Sequence, residues 1–172
     1  RSFYFPPEKP GEQRKPVERI RSGAVTPGGV YLVADEKENA VYRFDTEGHL
    51  LGRFPDRDPQ KREVTRIIVD GERSILLLDR KEKTIRVCDE GGRILRTVGP
   101  GGLRKPVDVA VDAFRNVYVA DEDQGVLVFN PKGELFFKIT GGELKKATAI
   151  TLEASGAVLV YDDRSDRILR YH

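Results

Sequence analysis

The chain of 172 residues contains no Trp, no Met, one Cys and two His, and its net charge is only +2. Each shortage closes a chemical route. A single cysteine, Cys88, cannot form an internal disulfide. The two histidines, His49 and His172, fall on the outer parts of separate repeats. A His-based triad or a His-ligated zinc site needs such side chains converging in one cleft. The near-neutral balance gives no bulk drive toward nucleic acid or a membrane surface. No run approaches the ~20 apolar residues of a membrane span, and no signal-type apolar region precedes the first repeat. No segment of helical period competes with the extended runs. The glycine cluster Gly99-Pro100-Gly101-Gly102 has no helix after it, so it lacks the helix N-terminus that a phosphate loop requires.

What the chain has instead is a repeat. An aliphatic run ending in aspartate occurs four times, as Tyr31-Leu32-Val33-Ala34-Asp35, Ile75-Leu76-Leu77-Leu78-Asp79, Val117-Tyr118-Val119-Ala120-Asp121 and Val158-Leu159-Val160-Tyr161-Asp162, at nearly even spacing along the chain. A period of this length, made of short β-type runs divided by turn residues, marks a propeller blade. A second position tests the register. Nine residues after three of these aspartates stand Phe44, Cys88 and Tyr171, with Phe129 one residue earlier in its copy. Gly48, Gly92 and Gly133 occupy matching turns beyond, where a positive φ or tight reversal is needed. In the most regular copy, residues 107–111, 117–120, 126–129 and 135–139 read as strands a, b, c and d.

The third copy, Pro106-Val107-Asp108-Val109-Ala110-Val111-Asp112 with Asn116-Val117-Tyr118-Val119-Ala120-Asp121 and Val126-Leu127-Val128-Phe129-Asn130-Pro131-Lys132-Gly133-Glu134, resembles an NHL-type repeat. The resemblance extends more loosely over nearly the whole chain. It implies an all-β propeller whose signature residues build blades and do no chemistry, and a role in protein or RNA contacts. The expected organisation is one domain, 1–172, with four-stranded antiparallel blades at about 14–54, 61–99, 103–140, and 144–172 plus 2–5. The fourth copy stops after strand c, and Ser2-Phe3-Tyr4-Phe5 resembles the missing strand d. Pairing of that segment with Arg167 to Tyr171 is the expected closure of a four-bladed ring. The alternatives are an arc of a five- or six-bladed ring and a half-ring that dimerises. A start at Arg without any Met is expected of a segment of a larger protein.

Charged residues form 34% of the chain, a balance that suits a heat-tolerant protein. Cys88 replaces Phe44 and Tyr171 in its copy and is expected to be a buried packing residue. Asp35, Asp79, Asp121 and Asp162 are equivalent by repeat. Each is expected to accept hydrogen bonds from its own b–c turn, too far from the others to share an ion. Around the channel, Asp108, Arg66 and Ala149 align at one level of the inner strands, with Glu18 matched through Pro16-Val17. Calcium wants six or more oxygens and a guanidinium repels it, so an ion-pair cluster is expected there and no metal or other cofactor.

One repeated feature is not demanded by the fold. A dibasic pair precedes each inner strand: Arg14-Lys15, Lys61-Arg62, Arg104-Lys105 and Lys145-Lys146. These pairs are either solvated loop charges or a ring focusing positive potential on one face. The second option fits a protein or polyanionic partner. Nucleic acid fits less well, because no aromatics are interleaved for base stacking. The expectation is a non-catalytic binding or scaffolding module. The alternative is a lactonase- or hydrolase-like propeller enzyme with Glu18 and Asp108 as its channel acids.

Overall fold

The computed structural model describes residues 4–5, 15–17, 19–36, 40–54 and 63–172. Among the described residues there are seventeen strands and no helix. A short pair, β1 (Tyr4–Phe5) and β2 (Lys15–Pro16), precedes the blades. The first blade is β3 (Ile20–Val25), β4 (Tyr31–Asp35), β5 (Ala40–Phe44) and β6 (Leu50–Phe54). The second is β7 (Val64–Val69), β8 (Ile75–Asp79), β9 (Thr84–Cys88) and β10 (Ile94–Val98). The third is β11 (Pro106–Val111), β12 (Val117–Asp121), β13 (Gly125–Phe129) and β14 (Leu135–Ile139). The fourth is β15 (Ala147–Leu152), β16 (Val158–Asp162) and β17 (Arg167–Tyr171). Each blade is an antiparallel meander in chain order. The expected strands of the third copy match to within one residue at each end.

The aliphatic runs are near-continuous because the second strand of each of the first three blades is covered on both sides. In β8 all five residues are buried, and alternate side chains enter different cores. Ile75 and Leu77 join Leu32, Ala34, Val41 and Phe54 of the first blade, with Cys88 buried among them. Leu76 and Leu78 join Val109, Val117, Val119 and Leu127 of the third. A further core binds the third blade to the fourth through Tyr118, Ala120, Val126, Val158, Val160 and Leu169. The turn glycines Gly48, Gly92 and Gly133 have φ of 90°, 88° and 86°. A Cβ on Gly92 would also stand 2.4 Å from the Phe54 ring of the preceding blade, so that turn needs glycine twice over.

The expected closure is not what the described residues make. Tyr4–Phe5 pairs with Lys15–Pro16, with Tyr4 opposite Pro16 and Phe5 opposite Lys15. Among the described residues β17 is an edge strand and the fourth blade has three strands. The inner strands pack in the succession β3, β7, β11, β15, and β15 makes no comparable contact with β3. The fold is therefore an arc of four blades. A two-residue strand finds its cheapest partner close by in sequence, because loop closure to residue 167 costs more entropy than closure to residue 15.

Candidate functional site

One end of the arc is built by the aspartates that close the second strands. Asp121 and Asp162 are fully buried. Asp121 Oδ2 accepts from the backbone N–H groups of Arg104 (2.8 Å) and Lys105 (2.9 Å), and Oδ1 from Asp123 N–H (3.0 Å). Asp162 repeats this: Oδ2 accepts from Lys145 and Lys146 (3.1 Å), and Oδ1 from Arg164 and Ser165 (2.9 Å each). The expected b–c turn bonds are present at Asp121 and Asp162. So is a grip, not foreseen, on the connection that enters the inner strand. One carboxylate thus staples two loops of its blade and sets where the basic residues begin. In the second blade Asp79 Oδ1 accepts from Glu82 (2.9 Å) and Glu63 (3.4 Å), while Oδ2 accepts from the buried Arg86 Nη2 at 2.7 Å. The sequence did not mark Arg86 as different from the Leu127 and Leu169 that hold equivalent positions.

Burial opposes ionisation of Asp162, but the backbone donors of Lys145, Ser165, Lys146 and Arg164 outweigh it and hold the carboxyl at about 2. An unfolded aspartate titrates near ~4. The folded value is the lower, so the ionised form stabilises the fold above pH ~4, and that contribution is lost as pH falls from ~4 through ~2. Urea midpoints measured across this window should fall more steeply for the parent than for Asp162→Asn. An equal fall in both proteins would refute the assignment.

The register redraws the basic ring. With the repeats aligned on their closing aspartates, Arg19, Glu63, Lys105 and Lys146 share one position. Glu63 therefore holds in the second copy the place of Lys105 and Lys146, and of Lys61-Arg62 it is Arg62 alone that aligns with the later pairs, at the place of Arg104 and Lys145. Lys15 lies in β2, apart from the inner strands. Arg14, Lys61 and Arg62 lie outside the described residues, as does the Lys15 side chain. Among the described residues, the pairs of the third and fourth blades come together. Arg104, Lys105, Lys145, Lys146 and Arg164 line an open depression of ≈ 500 Å³ with Glu122 and Asp123. Five cations face two carboxylates there. Lys105 Nζ stands 2.6 Å from Glu122 Oε2, and Lys146 Nζ 2.6 Å from Asp163 Oδ2 and 3.8 Å from Glu122. The hydrogen bond with Asp163 holds the Lys146 ammonium above the usual lysine range. Arg104, Lys145 and Arg164 make no ion pair among the described residues. Arg104 and Lys145 also line an adjoining depression of ≈ 320 Å³ with Asp123 and Gln124.

At the channel, Arg66 Nε donates to Asp108 Oδ1 at 2.6 Å, as expected from the alignment. Asp108 is 4% exposed at its side chain and Arg66 46%. The carboxylate also accepts from Val109 N–H (2.9 Å) and from Ile150 N–H of the next blade (3.0 Å). Arg66, Asp108 and Ala149 do share a level, opposite Leu78, Ala120 and Tyr161. Glu18 lies outside the described residues, and the first-blade equivalent is Ser22, opposite Ala34. All four hold the same place relative to their closing aspartates, a register that the Pro16-Val17 match had overridden. A β-bulge recurs just before this level in every blade and re-aims the side chain that follows. Ser22 Oγ accepts from Ile67 N–H at 3.0 Å, so each joint between blades has its own clasp. Among the described residues, no group of three or more His, Cys, Asp or Glu is placed to hold a metal ion.

No family model matches the chain, and no curated protein matches it. Solved structures do. The computationally designed Ika4 protein is similar at 16% identity and a TM-score of 0.71, over 95% of this chain and 94% of that one. The WD40 β-propeller domain of Doa1 is similar at 14% identity and a TM-score of 0.74, over 89% and 50%. A catalytically inactive virginiamycin B lyase from Staphylococcus aureus, solved with quinupristin, is similar at 14% identity and a TM-score of 0.72, over 93% and 56%. The chain spans about half the length of the latter two. The fold is that of a β-propeller; at these identities the likeness carries no activity with it.

Proposed function

We propose that the chain is a non-catalytic binding module of NHL type that takes an acidic segment of a protein partner on the loop face of its third and fourth blades. The observation that carries this is the trio Arg104, Lys145 and Arg164, cationic and without an ion pair among the described residues, beside a depression whose other lysines are already neutralised. The staples support it, because Asp121 and Asp162 fix the backbone of Arg104, Lys145 and Arg164 before any ligand arrives. Preorganised charges lose less entropy on binding than free loop charges. The likeness to a WD40 domain is in keeping with a binding role. The enzyme alternative draws on the lyase likeness, but the Asp108 oxygens are already engaged by Arg66, Val109 and Ile150.

A labelled polyglutamate peptide serves as probe. Three neutralised contacts give a loss of affinity of roughly 40-fold between about 50 and about 200 mM salt, by analogy with counterion release from a polyanion. The variant Arg104→Ser, Lys145→Ser, Arg164→Ser should lose most of the binding and most of the salt dependence. Its melting curve should stay that of the parent, since the stapling bonds come from backbone N–H groups and exposed charges contribute little stability. Equal binding by variant and parent would sink the proposal.

A further inference from the structure

We infer that two copies of this chain close one ring, the outer face of β16 and β17 in each docking against the β1 to β4 end of the other. Three observations converge on a second copy. The first is curvature. The arc superposes 89% and 93% of its own length on only 50% and 56% of two longer propeller chains. Its blade-to-blade turn is therefore that of a ring about twice as long, and four blades make about half of it.

The second is an uncovered face. The side of each blade that looks toward the next is closed in the first three: Leu32, Ala34 and Val41; Leu76, Leu78, Ile85 and Val87; Tyr118, Ala120, Val126 and Val128 are all buried. The same positions in the fourth blade are Leu159, Tyr161, Ile168 and Arg170. Leu159 and Tyr161 are only half-buried, Arg170 is exposed, and Ile168 is 71% exposed where Ile85 is 0%. An isoleucine at a position that is core in its own repeat marks a joint left open.

The third is a strand count. Among the described residues the fourth blade has three strands and the opposite end of the arc has a spare one. β1 pairs only with β2 among the described residues, and Val17, next after β2, packs on Val33, Ala40, Tyr42 and Phe44 of the first blade. β1 thus waits at the end where another copy's β17 would arrive, and its free edge can supply that copy's fourth strand. Each copy holds both halves of the joint, so one twofold axis satisfies two joints at once. A contact between unlike surfaces closes into a ring when the rotation fits, and for a half-ring the rotation that closes it is a twofold. A different partner would have to bring both a strand for β17 and a face for Ile168.

Light scattering after gel filtration of the 172-residue chain at tens of micromolar should read twice 19.4 kDa. Ile168→Arg should read 19.4 kDa with an unchanged β-type circular dichroism spectrum, since the residue is already solvent-facing in a single copy. Two copies joined in tandem should give a species of one tandem chain that associates no further. A parent with the mass of a single chain would overturn the inference, whether further residues of a longer chain or nothing fills the joint. So would a parent heavier than two chains, a dimeric Ile168→Arg, or self-associating tandem chains.

Discussion

Asp162→Ala is expected to destabilise the fold by about 3 to 4 kcal/mol and to lower its melting midpoint by about 10 °C, at about 2–4 °C per kcal/mol for a chain of this size. The aspartate is fully buried and accepts from Lys145, Lys146, Arg164 and Ser165. Alanine leaves those four donors without an acceptor. Each orphaned buried donor costs about 1–3 kcal/mol, discounted here because turn amides near the surface can recruit water. The neighbouring Asp163 is the control. It pairs with Lys146 at the exposed surface, and Asp163→Ala should shift the midpoint little, as surface pairs do. Calorimetric scans of the two variants check this. Equal midpoints would mean that Asp162 is no staple.

Arg86→Ala should cost about 3–5 kcal/mol, the usual penalty for stripping a buried charge of its partner. Arg86 lies between the first two blades, 2.7 Å from Asp79, and the two side chains are 9% and 0% exposed. After the substitution the N–H groups of Glu82 and Glu63 remain on Oδ1 among the described residues, and the fully buried carboxylate loses its guanidinium partner on Oδ2. Arg86→Leu separates charge from packing. Leucine stands at the equivalent positions Leu127 and Leu169, so it fits the space but leaves the carboxylate unanswered. Both variants should unfold at similarly reduced urea concentrations. A leucine variant as stable as the parent would show that Arg86 is only a spacer.

The blades were legible because a strand covered on both faces cannot alternate apolar with polar residues, and Ile75 to Leu78 writes that constraint directly into the chain. The Arg66–Asp108 pair was legible for a related reason: the closing aspartates fix register, and those two side chains lie equally far before Asp79 and Asp121. The same alignment leads to Ser22, but Pro16-Val17 imitated Pro106-Val107 closely enough to displace it toward Glu18. For Arg14-Lys15 and Lys61-Arg62 the charge pattern repeats, but as pairs they are offset along the chain from Arg104-Lys105 and Lys145-Lys146. Curvature was not legible at all. It is set by the volumes of side chains meeting across three cores, a property of pairs of surfaces that no single run displays. The staples were half legible, because the turn bonds follow from the local chain, whereas the grip on Lys145 and Lys146 reaches back across the whole inner strand, its turn and the second strand.

The clasps at the channel differ in chemistry from joint to joint: a hydroxyl accepts from Ile67, a guanidinium meets Asp108, and a carboxylate accepts from Ile150. Each reads its successor. Exchanging the second and third blades would set the Arg66 guanidinium against the Ile150 amide, donor against donor. The blades share one shape but carry an order of assembly in these three contacts, so the propeller is a sentence whose words cannot be shuffled, although each word has the same length.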